Sequence, residues 1–254
     1  MNITKDPFNV ALDSVLIVVP TYNEAVNIPT LLEKIFNISN QLNVLFVDDN
    51  SQDGTVDQIK KFQTHRPTQI HLLQRPGKLG LGTAYIKGFK WALEQTVPKK
   101  FQVMIEMDAD LSHDPFFLKA IFEELKTHDA VLGSRYVPGG GTRNWGLIRK
   151  FISRFGSLYA QIILGLPLHD LTGGFNAWHR HVLERINLDD VRSEGYAFQI
   201  ELKYRAFLQG FRFKEVPIIF SDRFLGTSKM SHRIVIEAMY RVWLLRGLKA
   251  QLKS

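Results

Sequence analysis

Asp108 and Asp110 stand in the stretch MIEMDADLSHDP, directly after the apolar run Val103-Met104-Ile105 and beside Met107. Carboxylates two residues apart on extended backbone share a face, and like charges held that close call for a proton or a cation. A hard divalent ion shared with a phosphate would answer that need. Two further acidic turns follow apolar runs: Asn23-Glu24 after VLIVVP (15–20), and Asp48-Asp49 after VLFV (44–47). A lone D-x-D is a weak signal, and Asp48-Asp49 alone would equally serve as turn or cap residues. Three acidic turns, each at the exit of a strand in a parallel sheet, converge on one edge and make a far more specific pattern.

The positive charge lies elsewhere. Between Ala130 and His169 there are five Lys/Arg residues and no carboxylate; between Arg223 and Ser254 there are seven against Glu237 alone. These two stretches exceed the chain's net charge of +7, so the remainder is net acidic. A localised excess of this kind suits an anionic partner: a phosphate, a nucleic acid or a lipid surface. The absence of Cys excludes disulfides, thiolate zinc sites and a cysteine nucleophile.

The elements that must position these groups read as follows. Strands are expected at 15–20, in VLFVDDNSQDG (44–54) running into an acidic turn, at 70–74, in QVMIEMDAD (102–110) and in AVLGSRY (130–136), alternating with helical patterns. The first helix pattern, NEAVNIPTLLEKIF, has Asn23 near its N-cap, and PFFLKAIFEELK has Pro at its first turn. This alternation argues for a mostly parallel sheet covered by helices on both faces, whose ligands bind at the carboxyl ends of the strands. The second half is less regular. GGGTRN (139–144) reads as a flexible loop, and WGLIRKFISRFGSLYAQIILGL as an amphipathic helix with Ile148, Phe151, Ile152, Phe155, Tyr159, Ile162 and Ile163 at helical spacing. HDLTGGFNAW, a helix through GYAFQIELKYRAFLQG, a strand FKEVPIIF and a basic-apolar tail complete the chain. The N-terminus lacks the layout of a signal peptide, and no apolar run reaches the length of a membrane-spanning helix. One compact domain over 1–230, followed by an amphipathic basic helix over 231–254, is the simplest organisation.

The stretches VVPTYNEAVNIPTLLEKI, VLFVDDNSQDGT, KLGLGTAYIKGFKWAL, MDADLSHDP, GSRYVPGGGTRNW, DLTGGF and DRFLGTSKM resemble, in order, the dolichol-phosphate or polyprenol-phosphate mannose synthases of glycosyltransferase family 2. The likeness runs from about Val15 to about Met230. It implies a GT-A fold, a Rossmann-like α/β sheet flanked by helices, and inverting sugar transfer from a nucleotide diphosphate to a lipid phosphate. By match, Pro20, Tyr22, Glu24 and Asp49 would hold the base and ribose, and Asp108 and Asp110 would bind Mg2+ or Mn2+ against the donor diphosphate. The third ligand position, Gln in some relatives, is Ser112 here, a shorter and weaker ligand. Arg135 and Arg149, with Ser153, match groups that receive the acceptor phosphate. Arg223 and Lys229 match a loop that closes over the diphosphate or acceptor. The implied donor is GDP-mannose, with UDP-glucose or another nucleotide sugar as the alternative. The implied setting is the cytosolic face of a membrane, reached peripherally or through a partner subunit.

The chemistry is coherent on its own terms. A departing nucleotide diphosphate needs its developing charge offset, which a divalent ion does as a Lewis acid. A phosphate monoester has a second pKa of about 6, so the nucleophile is already ionised and no general base is required. It needs orienting cations, and Arg supplies two-point donors to phosphate.

Other residues carry weaker signals. Lys78 is placed near the donor by the loop GKLGLGTA, in which Tyr85 breaks the G-x-G-x-x-G dinucleotide pattern, so the glycines read as close-packing positions. That break weighs against a nicotinamide dehydrogenase. His113 reads as a helix-start residue or a metal neighbour; Asp170 and Thr172 as capping or active-site groups; Glu194, Gln199 and Glu201 as sugar-pocket or helix-surface residues. A basic nucleic-acid-binding module is the rival from another class, but the RNA-recognition and zinc-finger patterns are missing. The helix at 145–166 and the tail at 231–250 either pack their apolar stripes on the domain or lie in a membrane interface.

Overall fold

The computed structural model describes residues 10–96, 100–222 and 232–248. Seven strands form one sheet: β1 (Val15–Thr21), β2 (Asn43–Asp48), β3 (Ile70–Gln74), β4 (Val103–Glu106), β5 (Ala130–Ser134), β7 (Asn176–His179) and β8 (Phe213–Pro217), in the order β3-β2-β1-β4-β7-β5-β8. All neighbours run parallel except β7, which is antiparallel to both β4 and β5. A second, two-stranded sheet pairs β6 (Gly141–Arg143) with β9 (Ile219–Ser221). The helices are α1 (Ile28–Ile38), α2 (Thr55–His65), α3 (Leu81–Glu94), α4 (Leu118–Glu124), α5 (Leu147–Leu164), α6 (Arg180–Arg185), α7 (Gly195–Leu208) and α8 (His232–Arg246).

Alternation along β1 divides the core. Leu16 and Val18 join one buried cluster with α3 and α7, while Val15, Ile17 and Val19 join another with α1 and α4, as expected of a sheet buried on both faces. α3 approaches closely because Gly88 lies against the sheet: a Cβ there would meet Val18 at 2.5 Å, and one at Gly82 would meet Phe198 at 3.0 Å. Within GKLGLGTA the close-packing reading holds for Gly82 alone: Gly77 has open space around it, and Gly80 is a glycine by its φ of 99.

Several expectations need correction. Asn23 does not start α1; it sits in the left-handed region at φ 60, and the helix begins at Ile28, where Pro29 suits the first turn. GGGTRN is not simply a loop, because Gly141–Arg143 pairs with Ile219–Ser221. FKEVPIIF is two strands in two sheets, parted at Ile218. Asn176–His179, expected to be irregular, is a central strand.

The apolar stripe expected on α5 is split. Tyr159 and Ile163 pack against the core, whereas Ile148, Phe151, Phe155 and Ile162 face solvent together with Leu147 and Leu158. α8 packs against α5 and α7, buries Val242 and Leu245, and leaves Tyr240, Trp243 and Leu244 exposed. No helix among the described residues is long and apolar enough to cross a membrane.

Candidate active site

The acidic side of the candidate site is assembled at the carboxyl ends of β1, β2 and β4. Pro20 lies in β1 opposite Val47, and Tyr22 just beyond it carries the Lys78 ammonium 4.2 Å from its ring centroid. Glu24 accepts a hydrogen bond from Asn27 Nδ2, and its backbone N–H donates to Thr55 Oγ1. The paired acids of the second turn have different duties. Asp48 is fully buried and accepts from Thr21 Oγ1, Ser51 N and Ser51 Oγ, so it holds the turn together. Asp49 pairs with the buried Arg75 and accepts from Leu79 N. Arg75 also donates to Gly80 O and Thr83 Oγ1, tying the glycine-rich loop to Asp49. Sequence reading missed Arg75; its place one residue past β3, level with the acidic turns, was the available signal.

Asp108 and Asp110 are not on extended strand: β4 ends at Glu106, and the chain turns through both. Leu111 adopts φ 63, a conformation uncommon for a residue other than Gly, Asn or Asp. The turn lets Ser112 N donate to Asp110 Oδ1 at 3.1 Å. Asp108 Oδ1 accepts from Tyr85 Oη, and its backbone N–H donates to His113 Nδ1 at 3.0 Å. His113 is neither a helix start nor exposed. It is buried, stacked on Phe175, and supports the Asp108 turn from behind. Burial lowers its pKa, against the pull of Asp108 and Asp110, so it stays a neutral acceptor there. Asp114 turns away, caps Phe116 N and pairs with Lys34 on the surface.

These residues fit a hard divalent cation. Asp108, Asp110 and Ser112 offer only oxygen, and Ser112 Oγ is buried with no hydrogen-bond partner among the described residues, the condition of a ligand atom awaiting an ion or water. No group of three or more His, Cys, Asp or Glu suited to a metal occurs among the described residues, so water and phosphate oxygens would complete the shell.

The side carrying Arg135 is built differently. Arg135, at the end of β5, is buried against the equally buried Asp170. Its backbone N and Nε donate to Asp170 Oδ2 at 2.9 and 2.7 Å, and its Nη2 donates to Oδ1 at 2.6 Å. Nη2 also reaches Thr172 Oγ1, which in turn meets Ser157 of α5. Burial would lower the Arg135 pKa, but the Asp170 charge and hydrogen bonds outweigh it and raise it; in return Asp170 is held below the usual carboxylate range despite burial. Beneath them, Lys203 of α7 donates to the carbonyls of Asp170, Leu171 and Gly173 at 3.1, 3.2 and 2.7 Å. Burial lowers its pKa to about 8. Asp170 and Thr172 are thus the cradle of Arg135, and Lys203 is a supporting cation that the sequence did not single out.

Arg149, in the first turn of α5, donates to Asp222 Oδ1 at 2.7 Å and lies 4.1 Å from the Trp145 ring centroid. Ser153, one helical turn on, accepts from Tyr136 Oη at 2.7 Å. Arg223 and Lys229 lie outside the described residues. Gln199 and Glu201 are neither pocket-lining nor on a helix surface. Both are buried: Gln199 serves Glu106 and Asn176, and Glu201 serves Ser193 N and Arg205. Glu194, ahead of α7, lies beside Gly80 of the glycine-rich loop.

The two sides meet. Phe220 packs edge-on against both His113 and Trp145, at 5.3 Å in each case, and His113 feels the charges of Asp108, Asp110, Arg135 and Asp170 together. A continuous run of contacts therefore joins the Asp108 turn, through His113, Phe220 and Trp145, to Arg135 and Arg149.

Comparison with known proteins agrees. Residues 16–186 match the family described as glycosyl transferase family 2. Polyprenol monophosphomannose synthase of Mycolicibacterium smegmatis is 42% identical over 91% of this chain and 87% of its own. Undecaprenyl-phosphate mannosyltransferase of Micrococcus luteus is 45% identical over 94% and 98%. Glucosyl-3-phosphoglycerate synthase of Mycobacterium tuberculosis, solved with Mn2+, UDP and glucosyl-3-phosphoglycerate, superposes with a TM-score of 0.65 at 16% identity, over 92% of this chain and 80% of that one; this likeness speaks for the shared fold. With its acidic turns at the carboxyl edge of a GT-A sheet and relatives of this identity along nearly its whole length, the chain belongs to glycosyltransferase family 2.

Proposed function

We propose that the protein is a metal-dependent, inverting glycosyltransferase that moves mannose from GDP-mannose to a polyprenyl phosphate at the cytosolic face of a membrane. The observation that carries this reading is the continuous run of contacts from the Asp108 turn through His113, Phe220 and Trp145 to Arg135 and Arg149. The relatives named for mannosyl transfer to polyprenyl phosphates support the choice of sugar and acceptor.

Each residue then has a task. Pro20, Tyr22, Glu24 and Asp49 seat the nucleotide, with Lys78 above Tyr22 facing its phosphates. Mg2+ or Mn2+ held by Asp108 and Asp110 would offset the charge that develops on the departing diphosphate. Arg135 and Arg149 orient the acceptor phosphate, with Ser153 beside them and Arg223 and Lys229 assigned to the neighbouring loop. Because Asp170 grips Arg135 at Nε and Nη2, only the remaining Nη1 edge of its fork is left to face the acceptor. No protein base is needed, since the acceptor arrives ionised.

The solvent-facing ridge Leu147, Ile148, Phe151, Phe155, Leu158 and Ile162, with Lys150 and Arg154 exposed on the same helix, supports peripheral contact with an anionic bilayer. Such a contact, alone or with a membrane partner subunit, would present the lipid headgroup beside Arg149.

The test is direct. Purified protein with polyprenyl phosphate in detergent and Mg2+ or Mn2+ is expected to transfer mannose from GDP-mannose and to stop on chelation. Glucose transfer from UDP-glucose without mannose transfer would overturn the donor, and undiminished turnover after chelation would overturn the metal.

A further inference from the structure

Trp145 occupies a junction that its hydrogen bonding does not explain. It follows Asn144, which is left-handed at φ 64, and leads from β6 into α5. Only 9% of its surface is exposed. Both acceptor-side guanidiniums lie on its ring: the Arg149 carbon is 4.1 Å and the Arg135 carbon 5.5 Å from the centroid. Phe220 closes the edge at 5.3 Å.

Two like charges brought to one place repel, and the electron-rich face of an indole is the neutral group best able to hold cations there. The ring also fixes where the guanidinium planes lie, which decides whether their donors converge on one ligand. Two donors in this contact are buried without a partner among the described residues, namely Trp145 Nε1 and Arg149 Nε. A buried N–H without an acceptor is costly, and a native structure rarely keeps one without a reason. Two of them beside a pair of arginines match an anion with several acceptor oxygens, such as a phosphate monoester.

We propose that Trp145 is an acceptor-site residue: its ring holds the Arg135 and Arg149 guanidiniums in register, and its indole N–H donates to the phosphate they bind. This rests on reading Arg135 and Arg149 as the acceptor clamp.

Trp145→Phe keeps a ring and removes the donor; Trp145→Leu removes both. With farnesyl phosphate as a soluble acceptor, the Phe variant is expected to raise the acceptor KM about fivefold and the Leu variant about 50-fold. The donor KM should not move. Inhibition by inorganic phosphate should weaken in parallel if the headgroup alone is recognised. Weakening of farnesyl phosphate only would place the contact with the lipid ester. An unchanged acceptor KM in the Phe variant overturns the proposal, as does an equal fall in donor and acceptor kcat/KM accompanied by lowered Tm. Should the Leu variant not fold, the Phe variant decides. If Arg135→Ala and Arg149→Ala leave the acceptor KM unchanged, the clamp reading itself has failed. If they raise it and Trp145→Phe does not, only the role of Trp145 is lost.

Discussion

On the β1–β4 side of the site, the carboxylates Asp49, Asp108 and Asp110 stand just past strand ends, Asp49 held by Arg75 and Leu79, Asp108 by Tyr85 and Asp110 by its own turn, with Asp108 still one-quarter exposed. On the β5–β8 side, the central cation Arg135 is sealed in by Asp170, and both rest on Lys203 of a different helix. The difference follows from what each side would bind. A metal ion brings its own positive charge, so the protein needs only acids aimed at one point, and short turns at strand ends supply them. A lipid phosphate brings negative charge, and a lone flexible arginine would meet it in many orientations. Burying that arginine against a carboxylate fixes its direction, at the cost of removing both charges from water. The acidic side is thus set on strand-end turns and left partly open, whereas the side carrying Arg135 is a buried network that draws in α5 and α7.

The sharpest break between the two is expected from Asp110→Asn, which removes half of the carboxylate pair without touching the network. Turnover should fall about 1000-fold while Tm changes little, as read by steady-state kinetics and thermal denaturation. The mirror experiment, Asp170→Asn, leaves Arg135 and Lys203 buried without their counter-charge. It should cost about 3–5 kcal/mol, or roughly 10 °C in Tm for a domain of this size. Stability equal to the parent would show that the network contributes nothing.

The surface should separate the halves as well. An Ile148→Glu/Phe151→Glu pair is expected to lower binding to anionic lipid vesicles about tenfold or more, since each buried apolar side chain contributes about 1.5–3 kcal/mol. Farnesyl phosphate turnover should survive. Arg75→Lys, on the donor side, replaces a multi-point contact to Asp49 with a single one. The donor KM should rise about tenfold with the acceptor KM constant, the loss of roughly one charge-assisted bond.

The smallest effect concerns pH. Asp170 has a folded pKa below its ordinary 3.8, so its stabilising contribution is complete above that value and is lost as pH falls through the folded pKa. The Tm gap between the parent and Asp170→Asn should therefore be constant at neutral pH and narrow below about pH 3.8. A gap that narrows near pH 6 would assign the stability to another group.

How much of this could be read in advance depended on how local each feature is. β1 to β5 announce themselves because strands buried on both faces must be continuous apolar runs, and the acidic turns follow them directly. β7 could not be read: Asn-Ala-Trp-His has no strand pattern, and in mid-sheet it is held by its ladders to β4 and β5 and by the bonds that Asn176 and Trp178 donate to Glu106, seventy and seventy-two residues earlier. That carboxyl group, raised to about 7 by burial against the bonds from Gln199 and Trp178 and the charge of Lys203, looks from sequence like one more residue of β4. Helical spacing on α5 showed an amphipathic helix but not which apolar residues turn outward, because its inner face is lined by Ser157, Ala160 and Leu164.

Sequence alone determined the parallel sheet, the three acidic turns at its carboxyl edge, the segregation of basic residues and the family resemblance. All of these are written in short windows where neighbouring residues act on one another. Tertiary structure alone decided that Arg135 is gripped by Asp170, that Lys203 sits beneath that pair, that Arg75 holds Asp49, and that Phe220 meets both His113 and Trp145. Those are pairings of charge and ring across long stretches of chain, and their energies exist only once the fold has removed the water that would otherwise screen them.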